Sequence, residues 1–152
     1  MNNLKEKKLD NKGFSLVELI IVIAIMAVLI GVLAPQYLKY VEKSRKSADE
    51  DNFQQIISAV QVYYSDPVHT LPSVTTDTNY DVTVVSGKIT ASSIPTEIKD
   101  ACTDAGVTLE NITIKSSAYQ NVVLRFTVSA DGTTKFTASD ENLAKALAIA
   151  KH

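Results

Sequence analysis

An uninterrupted apolar run, FSLVELIIVIAIMAVLIGVLA, occupies residues 14–34 and constrains this chain more than any other feature. Ser15 and Glu18 carry its only polar side chains. A helix made of these 21 residues is about 31 Å long, close to the ~30 Å hydrocarbon core of a bilayer. The run therefore predicts a helix that can span a membrane.

Basic residues before the run predict its orientation. Residues 1–12 hold four lysines and only two acidic residues, and no comparable density of basic residues follows the run directly. By the positive-inside rule, the amino terminus lies in the cytoplasm and the rest of the chain lies outside. The run is longer than the roughly 7 to 15 apolar residues of a secretory signal, and the next segment continues as a helix. A cleaved secretory signal is therefore disfavoured.

Glu18 is the residue that a plain membrane anchor does not explain. An ionised carboxylate within a membrane helix costs roughly 2.5 to 3.5 kcal/mol on insertion scales. Cleavage between Gly13 and Phe14 would free an α-amine four residues before Glu18, about 6 Å along a helix. That amine, from the same chain or a neighbouring copy, would neutralise the carboxylate near the positive end of the helix. The spacing predicts a partner for Glu18 that proteolysis creates.

The segment KGFSLVEL, residues 12–19, closely resembles the class III signal of type IV pilins and pilin-like proteins. The resemblance covers residues 1–64. It implies that a membrane prepilin peptidase cuts between Gly13 and Phe14 and methylates the amine of Phe14. It also implies that Glu18 is the acidic residue used in assembly.

The same resemblance implies the partners and the location of the chain. The partners are further copies of the chain in a helical homopolymer, and an assembly machinery with a platform protein and an ATPase. The chain would be held in the cytoplasmic or inner membrane first, and then in a pilus, or fimbrium, on the cell surface. Adhesion, twitching motility, biofilm formation and DNA uptake are functions of such filaments, and the sequence does not distinguish among them.

Gly31 and Pro35 predict a weak point in the apolar helix. Proline removes the backbone hydrogen bond to the carbonyl four residues earlier, which belongs to Gly31. A kink is the simplest result in an isolated subunit. Because the matching segment unwinds in related filaments, the resemblance implies loss of helix around residues 27–35 on assembly. A glycine common in the family is Ala27 here, so the extent of unwinding stays open.

Residues 35–64 predict an amphipathic helix packed on a body. Apolar residues recur at spacings of three and four, which places them on one helical face. They are Leu38, Val41, Ala48, Phe53, Ile56, Ile57, Val60 and Tyr63. The charged segment EKSRKSADED, residues 42–51, is either a solvated face or a surface that pairs with neighbouring subunits.

Residues 65–152 predict a globular body after a loop rich in Thr, Ser, Asp and Pro. YDVTVV and KIT predict a short hairpin, LENITIKS, NVVLRFTVS and TKFTAS predict further strands, and SSIPTEIKDACTDAG predicts a brief helix. ENLAKALAIAK predicts a final helix that covers the sheet through Leu143, Ala146, Leu147 and Ala150. The expected class is α+β, with three or four antiparallel strands packed on the long helix, as in the pilin fold.

The predicted organisation is a leader over residues 1–13, a transmembrane or filament-core helix over 14–34, an amphipathic helix over 35–64 and a body over 65–152. Cys102 is the single cysteine and cannot form an internal disulfide. The chain therefore resembles the cysteine-poor pilins of Gram-positive bacteria more closely than pilins with a carboxy-terminal disulfide loop.

The sequence gives no sign of catalytic chemistry. It has no metal-binding, phosphate-binding or nucleophile motif, and its two histidines, His69 and His152, lie in a loop and at the terminus. We expect no catalytic residue, metal or cofactor. Without residues 1–13 the chain has 11 basic and 15 acidic residues, which disfavours nucleic-acid binding.

The favoured function is a structural subunit, a major pilin. A pseudopilin of a type II secretion system and a competence pilus subunit share the motif. A monomeric membrane-anchored binding protein or sensor is the alternative from a different class.

Overall fold

The computed structural model describes residues 13–90 and 94–152. Residues 1–12 of the leader predicted over residues 1–13, and the start of the segment SSIPTEIKDACTDAG, therefore lie outside the described residues. The chain divides into two units, one ending at Lys39 and the other running from Tyr40 to His152.

Helix α1 is Leu16–Ser65, 50 residues with Pro35 inside. The sequence predicted a helix over residues 14–64, and the observed bounds agree within two residues at the start and one at the end. In the second unit, α1 buries Asp49, Phe53, Ile56, Ile57, Ala59 and Val60. The predicted stripe is thus confirmed from Phe53 onwards, whereas Leu38 and Ala48 are exposed.

The described strands form a five-stranded sheet in the order β2-β1-β3-β4-β5. Their bounds are β1 Thr78–Val85, β2 Lys88–Ile89, β3 Val123–Val128, β4 Thr134–Ala138 and β5 Ala150–Lys151. All neighbours pair antiparallel except β4 and β5, which are parallel. Two short helices lie between strands, α2 at Thr96–Asp104 and α3 at Glu141–Ala146. The predicted α+β architecture, a long helix followed by a sheet, is confirmed.

One face of the sheet and the second half of α1 build the core of the second unit. On β1 and β3 the inward positions include Val82, Val84, Leu124, Phe126 and Val128, each at most 2% exposed. Tyr64 at the end of α1 stacks on Phe126 with ring centroids 5.9 Å apart. The alternation of apolar residues that predicted these strands is therefore what packs them against the helix.

The predicted strand LENITIKS is wrong. Leu109–Asn111 form one turn of 3-10 helix, and only Thr113 makes a β-bridge, to Lys88. Two apolar side chains of this segment still serve packing, because Leu109 and Ile114 are buried. The backbone N–H groups of Lys115 and Ser116 donate to the Asp49 carboxylate of α1, so they are not available to a strand partner.

The carboxy-terminal helix is shorter than predicted. Asp140 caps α3 by accepting a hydrogen bond from the N–H of Leu143 at 2.9 Å, but the helix ends at Ala146. Ala148 has φ +54°, in the left-handed region, so the chain turns back and adds β5 beside β4. Leu143 and Leu147 are buried as predicted, whereas the predicted contacts of Ala146 and Ala150 are wrong because both are exposed.

Candidate functional site

The predicted cleavage point lies directly before α1, in backbone without regular structure. Gly13, Phe14 and Ser15 precede the helix, and the side chain of Phe14 is 88% exposed. Among the described residues, no heavy atom lies within 4 Å of a Cβ built on Gly13, apart from its chain neighbours. The peptide bond between Gly13 and Phe14 therefore has open surroundings on the described side of the chain.

Glu18 closes the first turn of α1 through a capping box. Its Oε2 accepts a hydrogen bond of 2.8 Å from the backbone N–H of Ser15, and Ser15 Oγ accepts one of 3.4 Å from the N–H of Val17. This arrangement satisfies two of the N–H groups that a helix start leaves unpaired. Glu18 therefore has an intramolecular partner without any cleavage of the chain.

Sequence reasoning missed this cap, although its signal was present. Ser followed three residues later by Glu, just before an apolar run, is the pattern of a capping box. The carboxylate was instead treated as a charge without a partner until cleavage. The proposed role of Glu18 in assembly is a separate matter and stays a prediction.

The apolar part of α1 in the first unit is uncovered. Every residue from 13 to 39 is exposed, and the large apolar side chains from Leu16 to Leu33 are between 47% and 72% exposed. The helix is long and apolar enough to cross a membrane, and its apolar stretch is not buried by the described residues. Such a surface needs lipid or other apolar helices to cover it.

Gly31 and Pro35 lie within continuous helix in the isolated chain. The predicted break concerns the assembled filament and stays a prediction. A Cβ added at Gly31 would meet no atom of the described residues within 4 Å, so no contact with them requires a glycine there.

Three carboxylates of α1 in the second unit hold the loop over residues 115–119. Asp49, 1% exposed, accepts hydrogen bonds from the N–H groups of Lys115 and Ser116. Glu42 Oε1 accepts from Ser117 N at 2.6 Å and Ser117 Oγ at 2.7 Å.

The third carboxylate, Glu50, accepts from the hydroxyl of Tyr119 at 2.7 Å. Burial and this carboxylate raise the pKa of Tyr119 above its ordinary value. The charged segment was predicted to be a solvated face or a contact between subunits. For these three acidic residues the structure shows a third role, an anchor within the chain.

The two histidines and the cysteine lie in packing or hydrogen-bond contacts within the described residues. His69 stacks on Tyr63 with centroids 3.8 Å apart, and His152 Nδ1 lies 3.2 Å from Thr137 Oγ1. Cys102 is fully buried in α2, and burial raises the pKa of its thiol to about 11. Among residues 13–90 and 94–152, no three His, Cys, Asp or Glu side chains are grouped so that they could hold a metal ion.

Comparison with known proteins places the resemblance at the amino terminus. Residues 8–34 match the family model described as the prokaryotic N-terminal methylation motif. Over 56 residues the chain is 32% identical to the type IV major pilin protein PilA of Myxococcus xanthus. That alignment covers 37% of this chain and 26% of the relative, so the chain spans about a quarter of the relative's length. No solved structure matches the chain.

The motif and the uncovered helix behind it are the features that the chain shares with pilins. The chain is similar to type IV pilins over its amino-terminal part, where it matches the methylation motif. The family it resembles is structural, and the residues described by the structure give no positive sign of catalysis.

Proposed function

We propose that this chain is the major structural subunit of a type IV pilus. The observation that carries the proposal is the uncovered apolar helix that begins two residues after Phe14, inside the match to the methylation motif. Proteins of this class assemble into pili after prepilin processing, so the natural covering for the helix is a bundle of identical helices.

The proposed sequence of events starts at the membrane. The helix over residues 14–34 holds the subunit in the cytoplasmic or inner membrane with its body outside. A prepilin peptidase removes residues 1–13 and methylates the amine of Phe14. An ATPase-driven machinery with a platform protein then moves the subunit into the filament at the cell surface, where it supports adhesion, motility or biofilm formation.

Extraction from the membrane is feasible because the helix exchanges one apolar environment for another. Lipid tails are as apolar as the side chains of neighbouring helices, so the transfer itself loses little hydrophobic free energy. A carboxylate left unpaired in the bundle would cost several kcal/mol. The Glu18 carboxylate, paired with the amine of Phe14 on the same or a neighbouring chain, would therefore select the register of the subunit.

Mass spectrometry of the mature amino terminus tests the proposal. We expect a chain that begins at Phe14 and carries one added methyl group. An intact leader in cells with an active prepilin peptidase would contradict it and would support a monomeric membrane-anchored binding protein. A peptidase-deficient strain is the control, since it should retain residues 1–13.

Filament yield tests the assembly step. The Glu18→Ala chain should be processed and reside in the membrane, but should give few sheared filaments. A normal yield from this variant would contradict the role of Glu18. Localising the filaments to secretion or DNA uptake machinery would identify the chain as a pseudopilin or a competence subunit instead.

A further inference from the structure

The uncovered helix of the first unit contains a stretch without charges that has an acidic residue at one end and a tyrosine at the other. From Leu19 to Gln36 there are 18 residues without an ionisable side chain, bounded by Glu18 before it and Tyr37 after it. Tyr37 is 68% exposed, and Lys39, two residues further, is also exposed. The described residues of this chain therefore do not hold the Tyr37 ring.

The separation of Glu18 and Tyr37 matches the thickness of a membrane. Nineteen steps of 1.5 Å along a helix put them about 28 Å apart, against ~30 Å for the hydrocarbon core. The apolar run taken alone, residues 14–34, would be centred on Ala24 and would leave Glu18 about 9 Å from the bilayer midplane. A span bounded by Glu18 and Tyr37 is centred close to Val28 instead.

The chemistry of the two ends favours the second placement. Tyrosine prefers the boundary between lipid and water, where the ring is in an apolar region and the hydroxyl is hydrated. The long side chain of Lys39 can extend its ammonium towards the headgroups beyond it. Tyr40, which is 69% exposed, adds a second tyrosine three residues later in the sequence.

We propose that, before assembly, Tyr37 of the membrane-held subunit binds the outer lipid headgroup interface. This contact sets the depth of the helix in the bilayer. Glu18 then lies at the cytoplasmic interface, and the bond between Gly13 and Phe14 lies on the cytoplasmic side of it. This inference rests on the membrane-held state proposed above, and it names the lipid interface as the partner of Tyr37.

The placement explains how an ionised Glu18 can be held in the membrane before cleavage. At the interface the carboxylate keeps contact with water and headgroups. The free-energy cost of a charged side chain is much smaller there than at the bilayer centre. Its hydrogen bond from the Ser15 N–H closes the helix at the depth where unpaired backbone groups become costly. Glu18 would lose its water only on entering the filament.

The chain contains no tryptophan, so single tryptophans report depth without interference. We would place Tyr37→Trp, Val28→Trp, Ala24→Trp and Leu19→Trp, one at a time, in the full chain. Each would be reconstituted at high dilution in vesicles of phosphatidylcholine and phosphatidylglycerol. Nitroxide groups at a shallow or a deep position of the lipid acyl chain then quench the fluorescence.

The expected profile is symmetrical about residue 28. The tryptophans at 19 and 37 should be quenched most by the shallow nitroxide and to a similar degree. The one at 28 should be quenched most by the deep nitroxide, and more strongly than the one at 24. A double variant that combines Val28→Trp with Tyr37→Ala should move the reporter away from the midplane.

The outcomes separate the inference from the proposed function. If residue 24 is the deepest reporter and the tryptophan at 37 is in water, the helix spans but Tyr37 does not set its depth, and the inference is wrong. Failure of both lipid probes to quench the tryptophan at 37, with a blue-shifted emission, would mean that protein covers it and would also overturn the inference. If neither 24 nor 28 is deep, the helix does not span, and the membrane-held state fails too.

Discussion

The backbone N–H of Ser116 donates a 2.7 Å hydrogen bond to Oδ2 of Asp49, and both residues are at most 1% exposed. The N–H of Lys115 donates to both oxygens of the same carboxylate, at 3.0 and 3.1 Å. Asp49 thus binds a loop 67 positions later in the chain. These hydrogen bonds fix that loop on α1.

Replacing Asp49 should destabilise the body more than replacing a nearby aspartate. Asp49→Ala leaves two backbone donors without their acceptor, which we expect to lower the free energy of unfolding by about 2 to 4 kcal/mol. Asp51→Ala is the matched control, because Asp51 is exposed on the same helix. Urea unfolding of the full chain in mild detergent, followed by near-ultraviolet circular dichroism, measures both. Equal losses from the two variants would contradict the anchor.

Two glycines with the same backbone conformation should respond differently to alanine. Gly87 and Gly106 have φ of +74° and +75°, where a side chain costs about 1 to 2 kcal/mol. A Cβ at Gly87 would also lie 2.5 Å from the carbonyl oxygen of Ile114 and 2.7 Å from Gln120 Oε1. A Cβ at Gly106 would have no atom of the described residues within 4 Å.

We therefore expect Gly106→Ala to lower the free energy of unfolding only by the cost of a side chain at positive φ. Gly87→Ala should lower it by about 1 to 3 kcal/mol more, because its Cβ is overpacked. Thermal unfolding of the two variants side by side gives the difference. Indistinguishable midpoints would mean that the Gly87 turn and the Ile114 carbonyl move apart without cost.

Local patterns made part of this structure predictable. The apolar run and the alternation in YDVTVV and NVVLRFTVS each encode an element through neighbouring residues, and each is confirmed. The role of Asp49 was not predictable in this way, because a charge in a helical segment does not show which distant backbone it binds. The two-residue strand β5 was not predicted either. The sequence pattern continues as helix, and only the left-handed backbone of Ala148 ends it.

The candidate site, too, was predictable only where it depends on neighbouring residues. Gly13, Phe14 and Glu18 could be proposed from the sequence because a processing signal is a contiguous motif. They lie within the match to the methylation motif over residues 8–34, and their roles stay predictions. The capping box was readable from Ser15 and Glu18 but was overlooked. What neighbouring subunits do to Gly31 and Pro35 depends on contacts that a single chain does not contain.

Acid should weaken the contact between Glu42 and Ser117. The hydrogen bond from the Ser117 hydroxyl, and next the one from its backbone N–H, hold the pKa of Glu42 below its ordinary value of 4.5. Because the folded pKa is lowered, the stabilisation is fully present above about pH 4.5 and is lost as the pH falls through the lowered value. Carbon-detected NMR titration of the Glu42 carboxyl measures the pKa directly.

Ser117→Ala is the control for that titration, since it removes the hydroxyl donor and keeps the backbone one. The pKa of Glu42 should move part of the way back towards 4.5. An unchanged pKa in this variant would show that the hydroxyl contributes nothing.

Cys102 should react slowly in the folded chain. The thiol is fully buried and its pKa is raised to about 11, so about one molecule in a thousand would carry a thiolate at pH 8 even if reagent could reach it. Labelling with a maleimide should be complete within minutes in strong denaturant and should be slowed by orders of magnitude without it. Rapid labelling of the native chain would mean that α2 opens readily.

Glu18→Gln should separate the capping and the charge of this side chain. Glutamine keeps an oxygen that can accept from the Ser15 N–H, so the first turn of α1 should persist, whereas Glu18→Ala loses the cap at a cost of about 1 kcal/mol. Amide exchange at Ser15 in detergent micelles should therefore be faster in the alanine variant only.

Filament assembly should follow the charge instead, because only the carboxylate can pair with the amine of Phe14. Both variants should then give few sheared filaments, although both lose their leader. Filaments at the normal yield from Glu18→Gln, with few from Glu18→Ala, would show that subunits use the hydrogen-bonded helix start and not the charge to find their register.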